Sequence, residues 1–290
     1  LGPRINAGGR VGKCSHGANL LLNFNPKETF KIATELNQYN LERKVLENDL
    51  FKEIDLKVKK ILKDPVLILN GKNWHEGIIG IIASRIKDKY QKPTIIITEN
   101  NNFGKASARS IHGFDIGSII IAALQNQLLI KGGGHKMAGG FTIEMINLEK
   151  FKSFIFNKFN LSKIDFEKKN TIFIDSEISP TALNLNFFSK IDMLSPFGSG
   201  NPEPKFMLKK VKPVKSEVVG GKHIKSLLLA ADGSTLKSIA FNTVDSEISP
   251  YLLDNKRHFL NIVGKLINPI VTTVAPTIPV EAASMPPTTI

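Results

Sequence analysis

A long stretch without glycine or proline is the feature that most constrains the fold of this 290-residue chain. From Lys27 to Lys63, apolar residues recur at helical spacing among charged ones, and Pro26 precedes the stretch. The pattern predicts one helix of about 37 residues, some 55 Å long by the standard rise per residue. A single globular core does not need so long a helix. We therefore expect it to connect residues 1–26 to a new domain that starts at residue 64.

Strand-like and helix-like segments alternate in the new domain, over residues 64–165. Apolar runs and helical periodicity predict strands at 66–69, 93–98, 105–111 and 141–143, and helices at 74–90, 114–130 and 147–161. This alternation is typical of an α/β domain with a mixed or mostly parallel sheet.

The pattern changes at about residue 166, where short β-rich runs separated by turn residues begin. The runs cover 171–173, 205–211, 214–219, 223–230, 236–241 and 259–263. They predict a small all-β barrel or sandwich over residues 166–268. Residues 269–290, rich in Thr, Pro and Ala, are expected to form a disordered tail.

The charge balance favours a polyanionic partner, because 39 Lys and Arg face 26 Asp and Glu, a net charge of +13. Nucleic acid is the commonest such partner, although dispersed lysines also occur in basic proteins without one. Cys14 is the only cysteine, which excludes an internal disulfide and fits a reducing cytosol. Since neither a membrane-length apolar run nor a signal peptide is found, we expect a cytoplasmic protein without membrane association.

The segment KGGGHKMAGG, residues 131–140, is interpreted as a glycine-rich loop whose bare backbone N–H groups can bind an anion. The upstream SARS tetrapeptide, residues 107–110, adds hydroxyls and a guanidinium suited to phosphate oxygens. The alternative is a mobile surface loop. The candidate phosphate-binding residues here are Ser107, Arg109, Gly133, Gly134 and His135, with Lys136 beside them.

A second glycine-rich loop is predicted at residues 2–10, where Arg4, Asn6 and Arg10 are candidate phosphate contacts. In the segment NWHEG, His75 and Glu76 could act as acid and base, His75 could contact a phosphate or a base, or both could be structural. The histidines and acidic residues show none of the usual metal-ligand spacings, so no metal ligand is assigned in this chain.

These segments, in this order, resemble the RecJ family of single-stranded-DNA-specific exonucleases, within the DHH/DHHA1 phosphoesterase superfamily. The resemblance spans residues 1–265 and rests on LGPRINAGGR, the long helix, NWHEGIIGIIASR, SARS, KGGGHKMAGG and PFGSGNPEPKF. It implies a DHHA1 domain over 64–165 and an OB-fold over 166–268, which the long helix of 27–63 joins to the end of a truncated DHH domain at 1–26.

The resemblance implies a metal-dependent exonuclease, with Mn²⁺ or Mg²⁺, that degrades single-stranded DNA from its 5′ end in recombination and repair. The family's metal ligands lie in the DHH domain, and no Asp-His-His occurs here. We therefore expect those ligands in a missing N-terminal domain, and this chain alone to be inactive. By resemblance, Arg4 or Arg10 anchors the 5′-phosphate with Ser107 and Arg109, while His135 contacts the scissile phosphate. The partners implied are single-stranded DNA and, as a candidate, a single-strand DNA-binding protein.

Two other functions stay open: a phosphodiesterase acting on short oligonucleotides or cyclic dinucleotides, and a non-catalytic nucleic-acid-binding fragment. The chain also departs from the family pattern. Gly9 stands where alanine is expected, and the sequence after Leu266 lacks the alternation of a strand. We therefore expect the last barrel strand to be missing or replaced, which would leave an exposed edge.

Overall fold

The computed structural model describes residues 1–162, 172–198, 200–254 and 259–267, and the backbone of 272–274. The chain divides into two compact units, Leu1–Lys169 and Asn170–Ile290. The finer division at residues 26, 63, 165 and 268 stays a prediction.

Four helices open the first unit: α1 (Gly2–Ile5), α2 (Gly8–Val11), α3 (His16–Leu22) and α4 (Pro26–Val58). The Asn25 side chain caps α4 by accepting the backbone N–H of Lys27. The long helix is confirmed with 33 residues. None of the helices in the described part of the chain is long and apolar enough to cross a membrane.

The interpretation of residues 2–10 as a loop is wrong, because α1 and α2 are helical. Pro3 lies in the first turn of α1, where its missing N–H costs nothing. Gly8 is packed so closely that a Cβ there would lie 2.5 Å from the Lys13 carbonyl oxygen and 3.2 Å from Leu36 of α4. Tertiary packing thus outweighs the low helix propensity of glycine.

The first unit continues as a five-stranded sheet in the order β1-β2-β3-β5-β4. Its strands are β1 (Leu67–Lys72), β2 (Thr94–Asn100), β3 (Phe103–Arg109), β4 (Lys131–His135) and β5 (Ala138–Glu144). Only β1 and β2 pair in parallel; the other pairs are antiparallel. A mixed sheet is confirmed, and the mostly parallel alternative is wrong because tight hairpins join β2 to β3 and β4 to β5.

Helices cover both faces of this sheet. Helix α5 (Glu76–Tyr90) packs on one face with the C-terminal half of α4, around Leu50, Ile54 and Ile96. Helices α6 (Ile116–Gln125) and α7 (Leu148–Leu161) pack on the other face, around Ile97 and Phe141. Adjacent β2 residues therefore enter different cores, as the alternation of a strand requires. The long helix is thus part of this unit's core along its second half.

The glycine-rich segment at 131–140 is not a loop but the hairpin β4–β5. Gly133 pairs with Gly140 and Gly134 pairs with Gly139 across the hairpin. The strand ladder satisfies backbone groups that a loop would leave to water. Packing of the hairpin against β3 and α6 outweighs the low strand propensity of glycine.

The second unit contains a curled six-stranded sheet. Its elements are β6 (Ser176–Glu177), α8 (Leu185–Asp192), β7 (Phe206–Val219), β8 (His223–Leu229), β9 (Thr235–Ala240), α9 (Ser249–Leu253), β10 (Leu260–Leu266) and β11 (Thr272–Val274). The runs predicted at 205–211 and 214–219 form one strand, β7, with an irregularity at 213–215. The run at 171–173 forms no strand at 172–173, and residue 171 lies outside the described residues.

The expected open edge of the barrel is not found among the described strands. β11 pairs with both β9 and β10, and β10 also pairs with β7. The backbone of Thr272–Val274 thus supplies the strand that the sequence after Leu266 was expected to lack. Strand pairing uses backbone groups, so a segment with a poor apolar pattern can still close a sheet. The rest of the predicted tail, 269–271 and 275–290, lies outside the described residues.

Candidate nucleic-acid interface

A cleft of about 760 Å³ opens in the first unit, on the sheet face that carries α5. Its wall is formed by the region of α1 and α2 and by the N-terminal half of α5, and its floor by β3, β5 and β4. The lining residues include Asn6, Gly9, Arg10, Glu76, Gly77, Ile79, Gly80, Lys105, Ser107, Arg109, Lys131, Gly140 and Thr142.

The floor is ordered by the strand register, which aligns residues of β3, β5 and β4 in rows. The rows are Lys105–Thr142–Lys131, Ser107–Gly140–Gly133 and Arg109–Ala138–His135. Alternate residues of a strand share a face, so all three rows face the cleft side of the sheet. With about 4.8 Å between neighbouring strands, the backbones of Arg109 and His135 are about 10 Å apart.

Arg109 is held in place by neutral partners. Its Nε donates to Ser84 Oγ at 3.1 Å, and its Nη1 donates to Ser107 Oγ at 3.0 Å and to the Ala108 carbonyl at 2.8 Å. Within the described residues it forms no ion pair with a carboxylate, and Nη2 has no protein acceptor. Burial and the nearby Arg10 guanidinium lower the pKa of Arg109 below its usual value. A fixed, half-buried cation without a counterion is suited to bind an anion.

Arg10 enters the same cleft from its wall. Its Nη1 donates to the Gly77 carbonyl at 3.1 Å. Helix α2 can approach α5 this closely only because residue 77 is glycine: a Cβ there would lie 2.1 Å from the Arg10 carbonyl oxygen. Gly80 has the same role for the side chains, since its Cβ would lie 3.0 Å from both Arg109 Nη2 and Ser107 Oγ. Two α5 glycines thus bring the two arginines together.

The remaining charges that the structure describes in the cleft are Lys105 and Lys131 in the first row of the floor and Glu76 on α5. Lys105 Nζ lies 2.7 Å from Glu76 Oε2. Lys131 has no carboxylate partner among the residues that the structure describes. The lining therefore carries four cationic side chains (Arg10, Lys105, Arg109 and Lys131) and the single carboxylate Glu76.

The glycines of the hairpin divide between its two faces. A Cβ on Gly132 or Gly139 would lie 2.8 or 2.5 Å from Ile120 of α6. On Gly134 a Cβ would lie 2.5 Å from the Ala138 carbonyl oxygen. Gly133, on the cleft face, has nothing within 4 Å of that position. The middle row of the floor therefore offers bare backbone to a ligand.

The structure brings Asn6, Arg10, Ser107 and Arg109 together, out of the residues that the sequence singled out. Gly133 and His135 are not among the residues that line the cleft; the strand register places them on the same face of the sheet, with His135 exposed on the edge strand.

Other candidates lie elsewhere. Arg4 Nε donates to Asn37 Oδ1 at 2.9 Å, away from the lining. Gly134 faces the α6 side, and the Lys136 carbonyl accepts the N–H of Ile116 in the turn. His75 caps α5 by accepting the Gly77 N–H at its Nδ1, 3.1 Å away.

Sequence reasoning missed several residues of the cleft. Lys105 and Lys131 face it from the floor, Gly77 and Gly80 shape its wall, and Ser84 positions Arg109. One signal was available: Lys105, Ser107 and Arg109 alternate, so a strand places all three on one face. The role of the two α5 glycines had no local signal, because Gly77 makes room for α2 and Gly80 for the side chains of β3.

The cleft does not fit a divalent cation. The described part of the chain contains no group of three or more His, Cys, Asp and Glu side chains placed to hold a metal ion. The donors of the cleft are guanidinium, ammonium and hydroxyl groups, which suit an anion instead.

Comparisons with known proteins point to one family. Residues 63–160 match the DHHA1 domain, and residues 174–267 match the RecJ OB domain. Single-stranded-DNA-specific exonuclease RecJ of Haemophilus influenzae is 32% identical over 87% of this chain and 45% of its own length. The Escherichia coli protein of that name is 30% identical over 86% of this chain and 44% of its own length. The chain thus spans less than half the length of these curated relatives.

Solved structures agree in fold. The crystal structure of RecJ in complex with Mn²⁺ from Thermus thermophilus matches 94% of this chain and 39% of that chain, with a TM-score of 0.70 and 25% identity. The predicted fold class, an α/β DHHA1 domain with a mixed sheet followed by an all-β OB-fold, is confirmed.

Proposed function

Because the chain belongs to the RecJ family, we propose that it forms the substrate-binding part of a single-stranded-DNA-specific exonuclease. The complete enzyme hydrolyses phosphodiesters in the 5′→3′ direction and acts in DNA recombination and repair. Within it, this chain binds and orients the strand.

The observation that carries this proposal is the pair Arg10 and Arg109, two guanidiniums that line one cleft, neither of which forms an ion pair with a carboxylate of the described residues. A terminal phosphate carries up to two charges and offers three oxygens, so it can accept hydrogen bonds from both arginines and from Ser107. Ser84 and Ser107 hold the Arg109 guanidinium in one orientation before the phosphate arrives. That preorganisation reduces the entropy lost on binding.

The glycine floor supports the path of the strand beyond this phosphate. Because Gly133 and Gly140 carry no side chain, the sugar and the next phosphate can lie close to the sheet. We propose that His135, about 10 Å from Arg109 at the backbone, contacts a phosphate further along the same strand, next to the bond that is cleaved. In this role His135 stabilises the phosphate and does not activate the attacking water.

A divalent metal, Mn²⁺ or Mg²⁺, would supply the activated water for attack on the phosphodiester. The described residues contain no group of three or more His, Cys, Asp and Glu side chains placed to hold it, so we propose that its ligands lie outside them. In the second unit, the outward face of β7, β8 and β9 presents Lys215, Lys225 and Lys237, with Glu217 paired to Lys225 at 3.4 Å, and the half-exposed Phe241 directly follows β9. A basic OB-fold face with an exposed ring suits a single strand. A single-strand DNA-binding protein as partner stays a prediction from the family.

The test measures binding of this chain to a 5′-phosphorylated single-stranded oligonucleotide by fluorescence anisotropy. Arg109→Ala should weaken binding about tenfold or more, since hydrogen bonds between charged groups contribute about 1.5–3 kcal/mol. Lys44→Ala, which removes an exposed cation of α4 outside the cleft, is the matched control and should change binding less than twofold. Equal losses in the two variants, at unchanged melting temperature, would contradict the proposal.

The same samples test where the metal ligands lie. With Mn²⁺ added, the chain should bind the oligonucleotide without shortening it. Cleavage by the purified chain would overturn our placement of the ligands. Preferential binding of di- or trinucleotides over long strands would favour a phosphodiesterase of short substrates.

A further inference from the structure

Glu76 is a carboxylate in a cleft whose other described charged side chains are all cationic. It is the first residue of α5, and its Oε2 lies 2.7 Å from Lys105 Nζ, with both side chains about half exposed. A carboxylate in the first turn stabilises the N-terminus of a helix. A carboxylate that pointed away from the cleft would stabilise it equally well, so helix stability does not explain why this one faces the cleft. Yet among the lining residues that the structure describes, Glu76 alone carries a negative charge.

The carboxylate makes the cleft electrostatically uneven along its length. Helix α5 and strand β3 run in the same direction, since Glu76 pairs with Lys105 at one end and Ser84 bonds Arg109 at the other. Lys105 and Arg109 are four residues apart on β3, about 13 Å along the strand. The Arg109 end therefore has uncompensated positive charge, whereas at the other end Glu76 neutralises Lys105 and leaves Lys131 as the remaining cation of that row.

This unevenness distinguishes the end of a DNA strand from its interior. An internal phosphate bound at Arg109 has further phosphates on both sides, and a neighbour that extends along β3 toward Lys105 would come near Glu76. A terminal phosphate has a neighbour on one side only, and the strand can leave across the bare floor of Gly133 and Gly140. Carboxylate and phosphate repel each other, most strongly where they lie closer together than the screening length of about 8 Å.

We propose that Glu76 is a specificity-determining residue, which excludes internal phosphodiesters from the cleft and reserves the Arg10–Arg109 pair for a terminal phosphate. The inference rests on the proposed function, because it assumes that the cleft binds the phosphates of single-stranded DNA. It adds a repulsive element to the attractive one, and specific sites commonly need both.

The test compares a 5′-phosphorylated linear oligonucleotide with a circle of the same sequence, which has no end. In Glu76→Gln, which keeps the side chain's shape, affinity for the circle should rise about fivefold, as expected for removing one close repulsion between partly exposed charges. Affinity for the linear strand should rise less than twofold. The preference for linear over circular DNA therefore falls, and an unchanged preference would overturn the proposal.

Glu149→Gln is the matched control. Glu149 lies in the first turn of α7 and pairs with Lys152 at 2.8 Å, so the variant makes the same charge change outside the cleft. It should affect both probes equally. As a second variant, Lys105→Met leaves Glu76 unneutralised and should increase the preference for the linear strand; a decrease would contradict the role of Glu76.

Arg109→Ala in the same assay separates the two ideas. If linear DNA binds independently of Arg109, the proposed function itself fails. If binding requires Arg109 but Glu76→Gln leaves the preference unchanged, only the role of Glu76 is wrong.

Discussion

The two faces of the β4–β5 hairpin carry similar residues for different reasons. On the face toward α6, Gly132 and Gly139 leave room for Ile120. On the face toward the cleft, Gly133 has open space around it. The first pair is required by packing inside the protein, whereas the open position is available to a ligand. The glycines of one motif can therefore have different roles, and the role of each depends on the face of the sheet on which it lies.

The largest effect is expected on the packed face. Gly139→Leu places a side chain where a Cβ alone would lie 2.5 Å from Ile120 and 3.0 Å from the Gly133 carbonyl oxygen. The backbone oxygen cannot move aside without disturbing the ladder, so we expect a loss of about 3 kcal/mol in the free energy of unfolding. Urea unfolding followed by circular dichroism measures it. A loss below about 1 kcal/mol would show that α6 tolerates this face being filled.

A smaller effect on stability, but a clear one on binding, is expected on the open face. Gly133→Leu meets no protein atom within 4 Å of its Cβ, so the free energy of unfolding should change by less than about 0.5 kcal/mol. The side chain should nevertheless block the floor and weaken binding of the 5′-phosphorylated strand about tenfold, as for the loss of roughly 1.4 kcal/mol. If binding is unchanged, the strand does not cross this floor, and the open face of the hairpin has no role in binding.

Much of the fold could be predicted because the spacing of apolar residues along the chain indicates most of its helices and strands. The 3.6-residue period marks α4, α5 and α7, and apolar runs mark β1 and β2. The hairpin β4–β5 could not be predicted, because glycine has low strand propensity and the pairing depends on β3 and α6. Likewise, β11 lacks a strong pattern of its own and forms by backbone pairing with β9 and β10.

The site was predictable in composition but not in arrangement. Arg109 and Ser107 lie two residues apart on one strand, so their proximity follows from sequence. Arg10 joins them only through the docking of α2 on Gly77. Arg4 and Arg10 look equivalent in the sequence, and the fold separates them by bonding Arg4 to Asn37.

The most direct test of this account is a crystal structure of the chain with a 5′-phosphorylated trinucleotide. We expect the terminal phosphate within hydrogen-bond distance of Arg109 Nη2, Ser107 Oγ and the Arg10 guanidinium, with the next nucleotide over Gly133 and Gly140. A trinucleotide bound elsewhere in the first unit, with the Arg10–Arg109 pair left without phosphate, would contradict the account.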